Sequence, residues 1–196
     1  MTRARDVSSR GGLTQVIPTS ISVGSGSGSV GANGSMIFTG ASSISINNCF
    51  TSTYTSYQIV LLINSGSATG HFYSRLRVSG SDNSTSVYNS TSVYSVSNST
   101  TSAVENVLNQ DKFQLGYNET SARNNFTNMH VINPQIVEHT AYVIQANRNA
   151  VTGSNILVSY NGGGQFANTT AFDGFTLFPA SGTLTGTLKV YGYNNG

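Results

Sequence analysis

The chain has 196 residues, enough for one domain with a sizeable core, because domains near this size bury roughly 70% of their unfolded surface. Only 8% of its residues are charged and the formal net charge is +2, so solubility rests on 30 Ser, 22 Thr and 21 Asn. Ten Tyr and nine Phe, with regular Val and Ile, exclude a disordered polar chain and point to pleated, half-buried strands.

Residues 1–12 read as an extended attachment arm ahead of a domain at 13–196. Arg3, Arg5 and Arg10 stand in it against Asp6 alone. Beyond residue 10 the basic and acidic side chains cancel, so the body lacks the clustered cations that nucleic acid requires. Strand signals begin at Leu13–Ile17, stop at Pro18 and resume over Thr19–Val23. Gly24–Gly28 is a flexible loop. Gly26-Ser-Gly28-Ser-Val-Gly31 has the G-x-G-x-x-G spacing, but strand-like Met36–Phe38 follows instead of the helix a dinucleotide site needs. A Ser/Gly hairpin loop is expected there. Cys49, flanked by Ile46 and Phe50, reads as a small core filler. Ile59–Ile63 is a buried strand, far short of the ~20 apolar residues that span a bilayer. The N-terminus lacks the apolar stretch of a secretory leader.

In His71–Ser79, Phe72, Ser74, Leu76 and Val78 share one face, with Tyr73, Arg75 and Arg77 opposite. The second face is either solvated or a subunit interface, where Arg and Tyr are enriched. Residues 83–88 and 89–94 both read Asn-Ser-Thr-Ser-Val-Tyr. This tandem repeat is expected as a surface excursion. Its Tyr88 and Tyr94 either stack on receptor sugars or decorate a permissive loop. Ser102–Asn109 is the one helix candidate: Ser102 and Glu105 form a capping box, and Val104, Val107 and Leu108 an apolar stripe. Further strands follow at 112–117, 129–132, 140–145, 155–160, 172–178 and 182–193. Pro179–Gly182 reads as a hairpin turn joining the last two. Leu184, Leu188 and Val190 share a face on which Gly186 and Gly192 mark bends or close packing. Many short strands with frequent turn signals argue a sandwich or barrel.

No motif carries chemistry. His71, His130 and His139 are isolated and no metal-ligand spacing occurs, so neither metal nor cofactor is expected. Asp111 and Glu119 read as loop solubilisers. No nucleophile elbow is present, and the chain is not expected to be an enzyme. Seven Asn-x-Ser/Thr triplets occur, about the chance number for this composition, and glycosylation is not expected.

Phe172-Asp-Gly-Phe-Thr-Leu-Phe-Pro-Ala-Ser-Gly-Thr-Leu-Thr-Gly-Thr-Leu-Lys-Val-Tyr-Gly-Tyr193 resembles a recurring ending of tailed-bacteriophage virion proteins. Gly12–Ile21, the Ser-Gly loop, Phe38–Ala41 and Val78–Gly80 have counterparts in those proteins, and Arg3–Asp6 is similar to a short segment common at the N-terminus of tail-fibre-like proteins. The resemblance departs at 81–103, where the repeat replaces more aromatic sequence. It implies a jelly-roll-like antiparallel β-sandwich on the virion surface, a capsid decoration, head fibre or tail appendage, commonly a homotrimer. Its partners would be further copies of itself and a capsid or tail protein gripped by Arg3, Arg5 and Arg10. A glycan-binding tail-fibre tip is the alternative, with a host surface glycan as partner. The resemblance transfers no catalytic residue.

Overall fold

The structure, a computed structural model, describes residues 12–120, 124–151 and 155–193. Alternation of aliphatic with hydroxyl or amide side chains dominates these residues, and such a pattern buries one face of each strand. The strands form two sheets in which every pairing is antiparallel. The larger sheet runs Ser102–Gln110 (β10), Tyr88–Val96 (β9), Asn155–Thr169 (β14), His139–Val151 (β13), Asn125–Ile132 (β12), Ser56–Gly66 (β6), Leu184–Tyr193 (β16), Met36–Ala41 (β4) and Ser27–Val30 (β3). Leu13–Val16 (β1) pairs with the end of β16. The smaller sheet runs Phe113–Asn118 (β11), Gly70–Val78 (β7), Gly174–Pro179 (β15), Ile44–Asn47 (β5) and Ser20–Val23 (β2), with Ser81–Asp82 (β8) on β7.

The two sheets pack into a jelly-roll-like sandwich. Ile59, Leu61 and Ile63 of β6 and Leu184, Leu188 and Val190 of β16 face Phe72 and Leu76 of β7 and Phe175 and Leu177 of β15 in one core. Each such side chain contributes roughly 1.5–3 kcal/mol when fully buried. Cys49 lies in this core, and burial pushes its thiol far above the ordinary range. A smaller cluster of Ala146, Val158 and Tyr160 fills the far end of β13 and β14. Gly186 lies under the Leu62 carbonyl and Gly192 under the Tyr54 ring, where a Cβ would collide, so both sit at close approaches as the apolar face required.

Four expectations are corrected. Gly26–Gly31 is not a hairpin loop, because Ser27–Val30 is β3 of the larger sheet and the preceding β2 belongs to the smaller. Ser102–Asn109 is not a helix but most of β10, paired with β9 from Ser102↔Ser95 to Val107↔Ser90. A two-turn helix is marginal on its own, whereas the edge of β9 satisfies the backbone of this segment. Asn109 lies in a bulge at φ 53, its N–H donating to Asn89 Oδ1 at 2.8 Å, before the pairing resumes at Gln110↔Tyr88. The repeat is not a surface excursion: its second copy forms the body of β9, between β10 and β14. Pro179–Gly182 is not a hairpin, because β15 and β16 belong to different sheets. The turn carries the chain across the sandwich. Gly182 takes φ 72 there, against Ser67 and Ala68, a conformation that suits glycine.

Candidate functional site

The structure disperses the residues singled out from sequence. Arg3, Arg5, Asp6 and Arg10 lie outside the described residues. Tyr73, Arg75 and Arg77 do share the outer face of β7, where Arg75 and Tyr73 are half-buried and the two arginines engage neighbouring side chains. Arg77 is 9% exposed. It donates through Nε to Asn47 Oδ1 at 2.9 Å and through Nη1 to Thr176 Oγ1 at 2.8 Å and Ser45 Oγ at 3.1 Å, and it pairs with Asp82 and the Gly80 carbonyl. Arg77 thus ties β7 to β5, β15 and β8 along this face. Arg75 pairs with Asp111 and lies 4.8 Å over the Phe178 ring, while Lys112 sits 2.7 Å from Asp111 Oδ1 and 5.1 Å over Tyr73. Asp111 is thus the hub of an ionic network instead of a loop solubiliser. The Lys112 hydrogen bond, and then Arg75, hold its carboxyl below the usual range against the opposing effect of burial. Glu119 is likewise engaged, 2.9 Å from Arg148 Nη1.

The two tyrosines of the repeat part company. Tyr88 is 1% exposed, edge-on to Phe113 and Phe166, and burial pushes its phenol well above the ordinary value. It cannot touch a receptor. Tyr94, six residues on and equally inward-facing, is half-buried because the smaller sheet ends at β11 and leaves the inner face of β9 and β10 overhanging.

That overhang makes a cleft of about 240 Å³, walled by Tyr94, Glu105, Arg148 and Tyr160 from the larger sheet and by His71 and Tyr117 from the smaller. Tyr94 and Tyr160 lie with ring centroids 5.4 Å apart. Burial is the main reason that the Tyr160 phenol is pushed up to about 12. The Arg148 guanidinium lies 4.3 Å over the Tyr117 ring, and the His71 ring meets Tyr117 edge-on at 4.9 Å. Gln114 Nε2 donates to one oxygen of Glu105. Two buried atoms at this cleft, Arg148 Nε and His71 Nδ1, have no hydrogen-bond partner among the described residues. Buried polar atoms are seldom left so. In a chain with nine basic and seven acidic residues, a guanidinium, two carboxylates, an imidazole and three phenols converge here. Sequence reasoning missed this cluster because its members come from six strands. The available signal was Glu105, which a strand reading of 102–110 places on the same face as its cross-strand neighbours.

The outer face of the larger sheet is the opposite in chemistry. It exposes Ile37, Val93, Val104, Leu108, Phe126, Ile132, Val143 and Leu157, and Lys189 is its one charged side chain among the described residues. Gly163, with no side chain, opens a trough of about 470 Å³ on this face between Gln165, Asn89, Thr91, Asn106 and Leu108. The trough is larger than the cleft but holds no titratable or aromatic group.

Neither a family model nor any curated protein matches the chain. Solved structures that align over most of its length include peanut lectin with a nine-residue peptide, at 10% identity over 94% of this chain and 98% of that one, with a TM-score of 0.31. Domain 4 of an extracellular arabinanase from Geobacillus stearothermophilus, in complex with arabinotriose, aligns at 10% identity over 94% and 95%, with a TM-score of 0.29. The SPRY domain of human HERC1 aligns at 9% identity over 92% and 98%, with a TM-score of 0.23. Scores this low relate the chain to none of them in function.

Proposed function

We propose that the chain is a non-enzymatic structural protein of a tailed-bacteriophage virion, an external capsid decoration or a head or tail appendage. Its residues 1–12 attach it to a capsid or tail protein, and three copies associate through their larger sheets. The observation that carries this reading is the outer face of the larger sheet. Exposed apolar patches of this kind mark contact surfaces, and an interface core is depleted in charge. A nearly uncharged face also lets identical subunits meet without like-charge repulsion.

The resemblance of residues 172–193 to virion proteins supports the same reading. Those residues act as fold determinants: Asp173 accepts from the Phe50 and Ser79 backbone N–H groups at 3.0 and 2.8 Å, and Gly174 packs against the Ile46 carbonyl. Arg3, Arg5 and Arg10 would grip the partner through charge-assisted hydrogen bonds.

The test is incorporation. Deleting residues 1–12 should leave a folded domain, judged by circular dichroism, that no longer enters particles. Labelling the intact protein on purified virions should place it over the head or at one vertex. Unchanged incorporation of the deletion variant refutes the attachment role.

A further inference from the structure

We infer that the cleft between the overhanging strands β9 and β10 and the edge strand β11 binds one ring of an uncharged saccharide.

The lining sorts ligands by chemistry. Tyr94 presents a half-buried ring to the cleft, with its cross-strand partner Tyr160 beside it. An aromatic ring of this kind packs against the C–H face of a pyranose while its hydroxyl remains available at the edge. Around that platform stand a carboxylate and two unsatisfied nitrogens. Ionised Glu105 only accepts, and Gln114 occupies part of its capacity. Adjacent hydroxyls of a sugar can both donate to the remainder. The Arg148 side chain only donates, and its buried Nε lacks an acceptor among the described residues. His71 Nδ1 takes either role according to its tautomer. A ligand that satisfies all three must donate and accept from neighbouring atoms, as vicinal hydroxyls do. A lysine or arginine side chain from a partner would satisfy Glu105 but leave Arg148 Nε without an acceptor.

Charge excludes acidic sugars. Among the described residues, Glu119 already offsets Arg148 at 2.9 Å, so Glu105 leaves the cleft with an excess of negative charge. A uronate or sialate entering it meets repulsion. Size sets the number of rings: about 240 Å³ falls below the ~300–1,000 Å³ typical of pockets for larger organic ligands. A single ring fits, and a longer glycan must continue out over β10.

Nuclear magnetic resonance titration of the full chain tests this. The probes are the methyl pyranosides of neutral hexoses, deoxyhexoses and N-acetylhexosamines, with methyl glucuronide as the acidic comparison. At least one neutral glycoside should bind saturably in the millimolar range and shift the signals of Tyr94, Tyr160 and His71. Glu105→Gln should weaken it by about tenfold or more, with Glu138→Gln, at an exposed site, unchanged. The inference is overturned by the absence of any saturable neutral glycoside, by preference for the glucuronide, or by equal affinity in Glu105→Gln. Shifts confined to the outer trough around Gln165 also overturn it, and that measurement needs no variant.

Discussion

Tyr88 donates its phenolic proton to the carbonyl of Asn83 at 2.6 Å and accepts the Leu76 N–H at 3.2 Å. The first and last residues of the first repeat copy are thereby tied together, and both are tied to β7. The second copy has the same six residues, but its Tyr94 faces the cleft. Identical sequence therefore performs two jobs, separated only by whether the smaller sheet lies opposite.

This difference predicts unequal mutational costs. Tyr88→Phe keeps the ring against Phe113 and Phe166 but strands the buried Leu76 N–H and the half-buried Asn83 carbonyl, so it should cost about 1–3 kcal/mol. Tyr94→Phe, on the cleft wall, should stay within about 0.5 kcal/mol. Urea unfolding of both variants checks the contrast, and equal losses would contradict the assignment of Tyr88 to the core.

Arg77 joins β7 to three neighbouring elements, through Thr176 on β15, Ser45 and Asn47 on β5 and Asp82 on β8. Thr176 in turn donates to Asp82 Oδ1 at 2.6 Å. Arg77→Met conserves much of the length and removes every donor. Asp82 retains some access to water, so the loss should fall near the lower end of the range for a broken buried pair, about 3 kcal/mol. Arg77→Lys should rescue only part of it, since one ammonium cannot reproduce the planar fork. Full stability in Arg77→Met would show the network to be incidental.

Asp111 gives the fold a pH dependence of known sign. Its carboxyl titrates below the ordinary value in the folded state, through Lys112 first and Arg75 next. A depressed folded value adds stability above the ordinary aspartate value, about 3.9. That stability is lost as the pH falls through the folded value. The urea midpoint should therefore drop on acidification below about pH 4, and Asp111→Asn should drop less. Parallel curves for the two proteins would remove Asp111 from the account.

Strand positions and inward faces were largely legible in the sequence wherever alternation was unbroken. Phe72, Ser74 and Leu76 turn inward as their period-two spacing dictates, and Cys49 fills the core as its apolar neighbours imply. Reading failed where local pattern and tertiary context diverge. Ser102–Asn109 satisfies a helical stripe and an edge-strand alternation equally, and only the open edge of β9 decides between them. The turn at Pro179–Gly182 has the local chemistry of a hairpin, and local chemistry does not specify which sheet the chain enters next. The cleft was invisible for a different reason: His71, Glu105 and Arg148 are brought together by overhang, a property of unequal sheet widths that no segment encodes.

The outer face of the larger sheet carries the last prediction. Val143 is 49% exposed, flanked across the ladders by His130 and Gly163, with Phe126 and Ile132 on the next strand. In an isolated subunit, Val143→Glu meets water and should change stability by no more than about 0.5 kcal/mol. In a trimer joined through this face, the same carboxylate is buried without a partner, and desolvation makes that placement costly. The variant should therefore run as a single 20.6 kDa chain in light scattering, with an unchanged thermal midpoint at low protein concentration, while the parent runs as three. Lys189→Glu, which leaves one charge on the face, serves as the comparison. A parent that is monomeric at all concentrations, or a variant that keeps the parent's mass, would leave this apolar face without the role assigned to it.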